Sequence, residues 1–504
     1  LLGFYVENFI DDDELSFTEV PTNSDYQLKY HWRINPTSSM RVIATGAEDS
    51  VALEFGPESD LGRHEPGLED GLSADTYYHN QAILFDTIFS GGTSAIYAIS
   101  HKEQNTALDF GTIYDLDAVN YEKRFKNYYQ TPFNGGDTLN YGLDINSNDL
   151  EYVSAGKFSP CNQDLQNCQP FSLGDNFDDS DRITINAGYA FAKYNWLATP
   201  FLELAFGLGI ANNDYLKDQT WHPRFEGRYE LNNNWTLTGA IGQHHQFPSP
   251  REFQFISKKY GNPELTMPNS VHYVTGFEYN FEGSLTAKVE AYYKDFDDLI
   301  IGNDQYVFDP DGNESDNTEP SYINGATGEA YGLELLINKN LTKKWYGWLS
   351  AAYSKTKRTN EQTDDDFNYS YDRPWIVNLV ASYKKSNKTT VGWKWRYQSG
   401  NLFTPVTGST PYDENGNEVA EDSNNVYLYA PIYGDNNSER LPASHRLDFR
   451  IDYEPKPDAS YYLEVINVYN QLNVTEYKYD EKYETREKVE SLPTIVSVGM
   501  KLIY

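Results

Sequence analysis

Three groups of residues in this 504-residue chain could do chemistry. The first centres on His244, which follows Thr236, Thr238, Ala240 and Gly242 at every second position and precedes Gln246. In an extended segment these side chains share one face. An imidazole there could bind a metal chelate or a hydrogen-bonding ligand; a histidine bonded to a neighbouring loop is the plainer alternative. The second group is cationic and has the same spacing: Lys394 and Arg396, then Arg446 and Arg450. Such a face could draw an anion, unless Asp448, Asp452 and acids on adjoining strands neutralise it. The third lies in the polar stretch 401–442, where Tyr412, Tyr427, Tyr429, Tyr433 and Arg440 stand among Asn and Asp. Aromatic rings beside polar groups give contact area and hydrogen bonds at modest entropy cost. The candidate ligand-binding residues are therefore His244, Gln246, Arg396, Tyr412, Tyr433 and Arg440.

Other patterns carry less. Cys161 and Cys168 sit together in CNQDLQNC, with no further Cys or His close by to complete a metal site. The pair suggests a local disulfide in an oxidising compartment. Asp309, Asp311, Asn313 and Asp316 have the look of a calcium loop, but Gly312 is out of place and no glutamate stands at the twelfth position. The formal net charge is −35, which has the wrong sign for nucleic acid. The acids concentrate in polar connections, such as Asp178 and Asp179, Asp364 to Asp366, and Asp413, Glu414 and Glu418. Such loops could bind divalent cations or simply stay hydrated beside lipopolysaccharide. No resident cofactor or metal is expected. There is no nucleophile elbow, HExxH pair, phosphate loop or zinc cysteine pair, so an enzyme is not expected.

The elements that must hold these residues are strands. Leu447, Phe449, Ile451 and Tyr453 alternate with Arg446, Asp448, Arg450 and Asp452. Val391, Trp393, Trp395 and Tyr397 alternate with Gly392, Lys394, Arg396 and Gln398, and Val496, Val498 and Met500 with Ser497 and Gly499. Full charges at every second position for this long fit a wall with lipid on one side and water on the other. By the same rule Trp235, Leu237, Gly239 and Ile241 face lipid, and His245 points outward. No run approaches the ~18 apolar residues of a spanning helix, and the mean hydropathy is −0.68. The 42 Tyr suit the girdles of a membrane barrel.

Strand-like runs extend from 26–34 to 460–477 and 492–504, about 19 or 20 in all. Short turns such as Asn35–Ser39, Ser386–Thr389 and Lys456–Ala459 alternate strictly with long connections near 56–76, 158–181, 248–268, 303–321, 358–370, 401–442 and 478–490. The expected fold is all-β: one large antiparallel transmembrane barrel over residues 1–504, with short periplasmic turns and long extracellular loops. Single-chain bacterial barrels have even strand counts, so two or three strands are expected ahead of residue 26, some of them before Leu1.

Several short motifs occur in order: Trp221-His222-Pro223-Arg224-Phe225, Gly242 to Pro248, Gly261 to Leu265, His272 to Tyr279, Gly328 to Glu334, Arg396 to Gly400, and Asn467-Val468-Tyr469-Asn470. Together with the aromatic C-terminal strand they resemble the barrel of TonB-dependent outer-membrane receptors. The resemblance implies 22 strands, of which about 20 are present here, and an N-terminal plug domain lying ahead of Leu1. It also implies active uptake of a scarce small or oligomeric ligand across a Gram-negative outer membrane, energised through the TonB-ExbB-ExbD complex. The alternative function is a passive porin or a structural or adhesive surface barrel.

Overall fold

The computed structural model describes residues 15–502 apart from 56–59, 69–70, 134, 159–168, 248–257, 260, 282–283, 304 and 306–318. The first strands are β1 (Leu15–Asn35), β2 (Ser38–Phe55), β3 (Leu72–Ile88), β4 (Ser94–Phe110) and β5 (Tyr114–Pro132). Next come β6 (Thr138–Phe158), β7 (Asp175–Thr199), β8 (Leu202–Asn213), β9 (Asp218–Glu230) and β10 (Trp235–His245). The wall continues with β11 (Asn269–Phe281), β12 (Leu285–Gly302), β13 (Tyr322–Lys339), β14 (Trp345–Asn360), β15 (Asp365–Asn368), β16 (Trp375–Ser386) and β17 (Thr389–Gln398). Four short strands follow outside it: β18 (Leu402–Phe403), β19 (Val406–Tyr412), β20 (Leu428–Tyr433) and β21 (Glu439–Arg440). The last are β22 (Ser444–Lys456), β23 (Ala459–Ile466), β24 (Val474–Tyr479), β25 (Arg486–Glu490) and β26 (Ile495–Leu502).

Twenty of these form one sheet, as the periodicity predicts. Each strand pairs antiparallel with its neighbour in the chain, except that β14 pairs with both the four-residue β15 and β16; β17 pairs with β22 and β23 with β26 across the two largest loops. The sheet curls until its far regions meet at the top. His64, between β2 and β3, stacks on Tyr483, between β24 and β25, at 4.6 Å.

One face is apolar. Trp393, Phe449, Val465 and Val496 are successive partners across four strands, and Val391, Ile451, Leu463 and Val498 form the adjoining row. Val498 is 74% exposed, which only a lipid contact makes tolerable. Tyr97, Tyr129 and Tyr141 join in a girdle near the short turns: Tyr129 donates to the Tyr97 hydroxyl at 2.9 Å and stacks on Tyr141 at 4.9 Å.

The opposite face is charged and paired. Arg41–Asp86 and Arg124–Asp144 join adjacent strands, and Lys193–Glu226 and Arg228–Glu278 each reach across one intervening strand, all at 2.5–2.7 Å. Arg446 meets Asp448 and Arg450 meets Asp452, both at 2.8 Å. These two arginines are therefore neutralised within the wall. Glycine makes room for one ring on this face: Gly332 opposes Tyr292, whose hydroxyl would stand 2.7 Å from an added Cβ.

Three expectations need correction. The alternation of short and long connections is not strict, because 110–114 and 213–218 are tight turns on the long-loop side. They cap strands that run far beyond the ~10 residues needed to cross a bilayer; β7 alone has 25 residues. There the inner face turns apolar, and Leu116, Leu150, Tyr152, Ile183 and Ile185 bury one another under Tyr215, Leu216 and Phe247. Second, the run 460–477 is not one strand. Asn467 takes φ 58°, ends β23 and accepts the Gln471 N–H, and 474–479 belongs to the separate hairpin β24–β25. Third, 401–442 holds an ordered hairpin, β19–β20, beside the pair β18–β21.

Candidate ligand-binding site

The register decides which side chains meet inside the barrel. Gly242 stands opposite both Arg224 and His272, so the face that carries His244 also carries Arg224, His222, His272 and Ser270. The His244 and His272 rings lie 4.4 Å apart. An Arg224 Nη donates towards His244 Nδ1 at 3.4 Å. His272 Nε2 is 2.9 Å from the Ser270 hydroxyl and His222 Nε2 is 3.0 Å from that of Thr220. His245, expected to point outward, does not. The strand ends there, and its ring meets His222 edge-on at 4.9 Å within the same cavity as His244. Lys294, opposite His272, adds a cation. Four imidazoles and two cations thus line the upper wall. Sequence reading found only His244. His222, Arg224 and His272 stand in the quoted motifs, but only strand pairing shows that they converge.

The other candidates lie elsewhere. Gln246 is exposed just past β10, its N–H on the Pro268 carbonyl. Arg396 is exposed on the inner face, opposite Arg446, with no ion pair among the described residues. Arg440 is a staple: one Nη donates to the Asp372 and Gly400 carbonyls and the other to the buried Asp372 carboxylate at 2.6 Å. Tyr412 and Tyr433 sit in the hairpin β19–β20. Among the described residues no contact joins His244 to any of these. Cys161, Cys168, Asp309, Asp311, Asn313 and Asp316 lie outside the described residues.

Above the imidazoles the long loops interlock. Glu65 accepts from the Phe171 and Ser172 N–H groups at 2.7 and 3.1 Å and from the Ser172 hydroxyl at 3.0 Å. Burial nevertheless pushes its carboxyl up from the ordinary value. Burial and the Glu65 charge likewise raise the Tyr433 hydroxyl, and Tyr483 is raised by burial with Tyr433 and Glu65 nearby. Ser409 donates to the Lys482 carbonyl at 2.6 Å, and the Val406 N–H to the Tyr479 hydroxyl at 3.3 Å. Arg486 pairs with Glu439 at 2.9 Å and lies 4.4 Å over the Tyr477 ring. Asp413, by contrast, is spent on its own turn, accepting the Asn415 and Asn417 N–H groups at 2.9 Å. Sequence reading counted Tyr433 but missed Glu65, Tyr479, Tyr483, Lys482 and Arg486; with Tyr433 they come from three separate connections.

This wall, inverted in polarity and roofed by long loops, has a family. The family described as TonB dependent receptor-like, beta-barrel, matches residues 7–468. The chain belongs to the TonB-dependent receptors. Its place is the Gram-negative outer membrane. Among curated proteins none matches this receptor barrel in sequence. Solved structures do match it in fold. The ferripyoverdine receptor of the outer membrane of Pseudomonas aeruginosa, bound to ferripyoverdine, is 13% identical with a TM-score of 0.68, over 96% of this chain and 65% of that one. The outer membrane transporter YddB from Escherichia coli is 11% identical, with a TM-score of 0.68 over 96% and 69%. The ferric enterobactin receptor PfeA from Pseudomonas aeruginosa is 13% identical, with a TM-score of 0.67 over 95% and 69%. The TonB-dependent barrel described here thus spans about two thirds of their length.

Proposed function

We propose that this chain is the translocation barrel of a transporter that takes up a scarce metal chelate, gated by a plug domain of its own and energised through the TonB-ExbB-ExbD complex. The observation that supports the ligand class best is the imidazole patch. A chelated transition metal with exchangeable positions accepts neutral imidazole nitrogen, and Arg224 and Lys294 beside the rings suit an anionic chelator. Two of the similar structures are named as receptors of ferric ligands, which agrees with this class. The interlocked aromatic loops, with Tyr433 and Tyr483 near their centre, would meet the ligand first and deliver it to His244 and His272. Energy has to be supplied from the inner membrane, because the outer membrane holds no nucleotide and no lasting gradient. Arg440 holds the roof and does not touch ligand in this reading.

The test begins with cargo. Full-length protein purified from metal-limited cells should carry a metal chelate identifiable by mass spectrometry. His244→Ala with His272→Ala should weaken its binding at least tenfold and leave the barrel folded. Uptake should stop when the inner-membrane potential is collapsed. A metal-free saccharide or peptide as cargo would sink the ligand class; uptake that persists without energy would favour the passive barrel.

A further inference from the structure

The periplasmic rim is divided by charge. At the six turns from β1 to β12, the turn and the two residues on either side contain no Lys or Arg, and they contain the acids Asp137, Glu203, Glu230 and Glu282. The same windows at the β13–β14, β16–β17 and β22–β23 turns hold Lys339, Lys343, Lys344, Lys385, Lys388 and Lys456, against the single acid Asp458. All six of these lysines are exposed. Strands β13, β14, β16, β17, β22 and β23 pair in that order, so the three turns form one continuous arc.

These cations are unspent. A chain of net charge −35 has acids in excess, yet among the described residues the lysines in ion pairs are Lys126, Lys193, Lys258, Lys259, Lys288 and Lys482, none of them on this arc. The arc also stands on an aromatic step. Trp345 packs against Tyr383 at 4.7 Å and Trp393 at 5.9 Å, and the Lys344 ammonium lies 5.8 Å over the Tyr383 ring. Tyr453 and Tyr461, direct partners and both exposed, continue the step, and Leu341 is exposed in the first turn. Such rings mark the membrane–water boundary. Two of the turns are only the residue pairs 387–388 and 457–458, too short to carry an ammonium past the lipid head groups. Lysines one step beyond an aromatic girdle therefore meet phosphate first.

We propose that this arc is a docking surface for anionic phospholipid of the periplasmic leaflet, which gathers on the β13–β23 side of the barrel and avoids the acidic β1–β12 side. An anionic head group supplies the countercharge that the chain withholds from these lysines. A zwitterionic one brings its own ammonium and gains much less.

Full-length protein in detergent, stripped of lipid, is titrated with phosphatidylglycerol and separately with phosphatidylethanolamine, and followed by native mass spectrometry. The wild type should prefer phosphatidylglycerol by about tenfold or more, from several lysines acting together. A rim variant with Lys343→Gln, Lys344→Gln, Lys385→Gln and Lys388→Gln should bind the two lipids alike while still migrating as a folded barrel. A control with Lys217→Gln, Lys357→Gln, Lys478→Gln and Lys488→Gln, which removes as many charges from the extracellular side, should keep the preference. Raising the ionic strength should shrink the wild-type preference towards that of the rim variant. A wild type without the preference, a rim variant that retains it, or a control that loses it equally overturns the proposal. Purified peptidoglycan sacculi that sediment the wild type and not the rim variant, with the two lipids bound alike by both, overturn the choice of occupant.

Discussion

Arg440→Ala separates a structural arginine from a ligand-binding one. Asp372 is 2% exposed, and its carboxylate receives Arg440 at 2.6 Å and the Thr356 N–H at 2.9 Å. The same guanidinium also satisfies the Asp372 and Gly400 carbonyls. Removing one member of a buried ion pair costs about 3–5 kcal/mol. The Arg440 side chain keeps 29% of its surface in solvent, so water can reach part of the gap and the lower end, about 3 kcal/mol, applies. This cost falls on the loop, because the pair links 360–375 to 398–444 and leaves the membrane wall untouched. About 3 kcal/mol is a more than hundredfold rise in local opening. Hydrogen exchange should therefore accelerate by that factor in 400–404 and 437–441, with strands β10 to β12 unchanged. Asp372→Asn should reproduce most of the effect, and the double variant should be far from additive. Arg440→Ala that abolishes ligand binding without faster loop exchange, while Asp372→Asn binds normally, would refute the staple and restore Arg440 to the binding site.

Phe449→Arg puts a cation into the lipid-facing row and should cost about 2–4 kcal/mol near the midplane, whereas Asn378→Arg, on the inner face, should fold normally; denaturant titration of the reconstituted barrel compares them. Cys161 and Cys168 should be disulfide-bonded, stabilising their loop by about 2–3 kcal/mol and the wall hardly at all; thiols that label in the native protein would exclude the bond. Glu65 has a folded-state value above its unfolded one, so the roof favours the protonated acid, and this stabilisation is fully present below the unfolded value and is lost as pH rises from there through the folded value. Lowering pH from neutral to mildly acid should slow proteolysis around residues 60–68, and Glu65→Gln should remove that dependence.

The barrel was legible because one physical fact repeats along it: lipid on one side demands apolar residues at every second position. Trp393, Phe449 and Val496 could be placed on one face before any pairing was known, and the structure sets them in one row. The rule fails where its cause stops. Outside the bilayer both faces of a strand may be polar, so Asp175 to Arg182 looked like loop although it continues β7. Asn467 ends β23 by adopting a left-handed backbone, which a single Asn between Ile466 and Val468 does not advertise. The imidazole patch was illegible for another reason. His222, His244 and His272 are brought together by register, and register depends on where each strand begins. Likewise Arg440 looked like a ligand residue because nothing in its neighbourhood of sequence points to Asp372.

The unequal strand lengths have a mechanical consequence. Beyond the ~10 residues that cross the bilayer, the 25-residue β7 climbs roughly 35 Å further at the usual rise and tilt. Across the barrel, β17 and β23 stop after 10 and 8 residues, and the two largest loops begin there. One half of the rim is therefore a stiff parapet of hydrogen-bonded sheet capped by tight turns. The other half reaches similar height with hairpins that hang on a few side-chain contacts. A hinge belongs where stiffness drops, so any opening of this mouth swings from the side of 398–444 and 466–495 against a parapet that stays still.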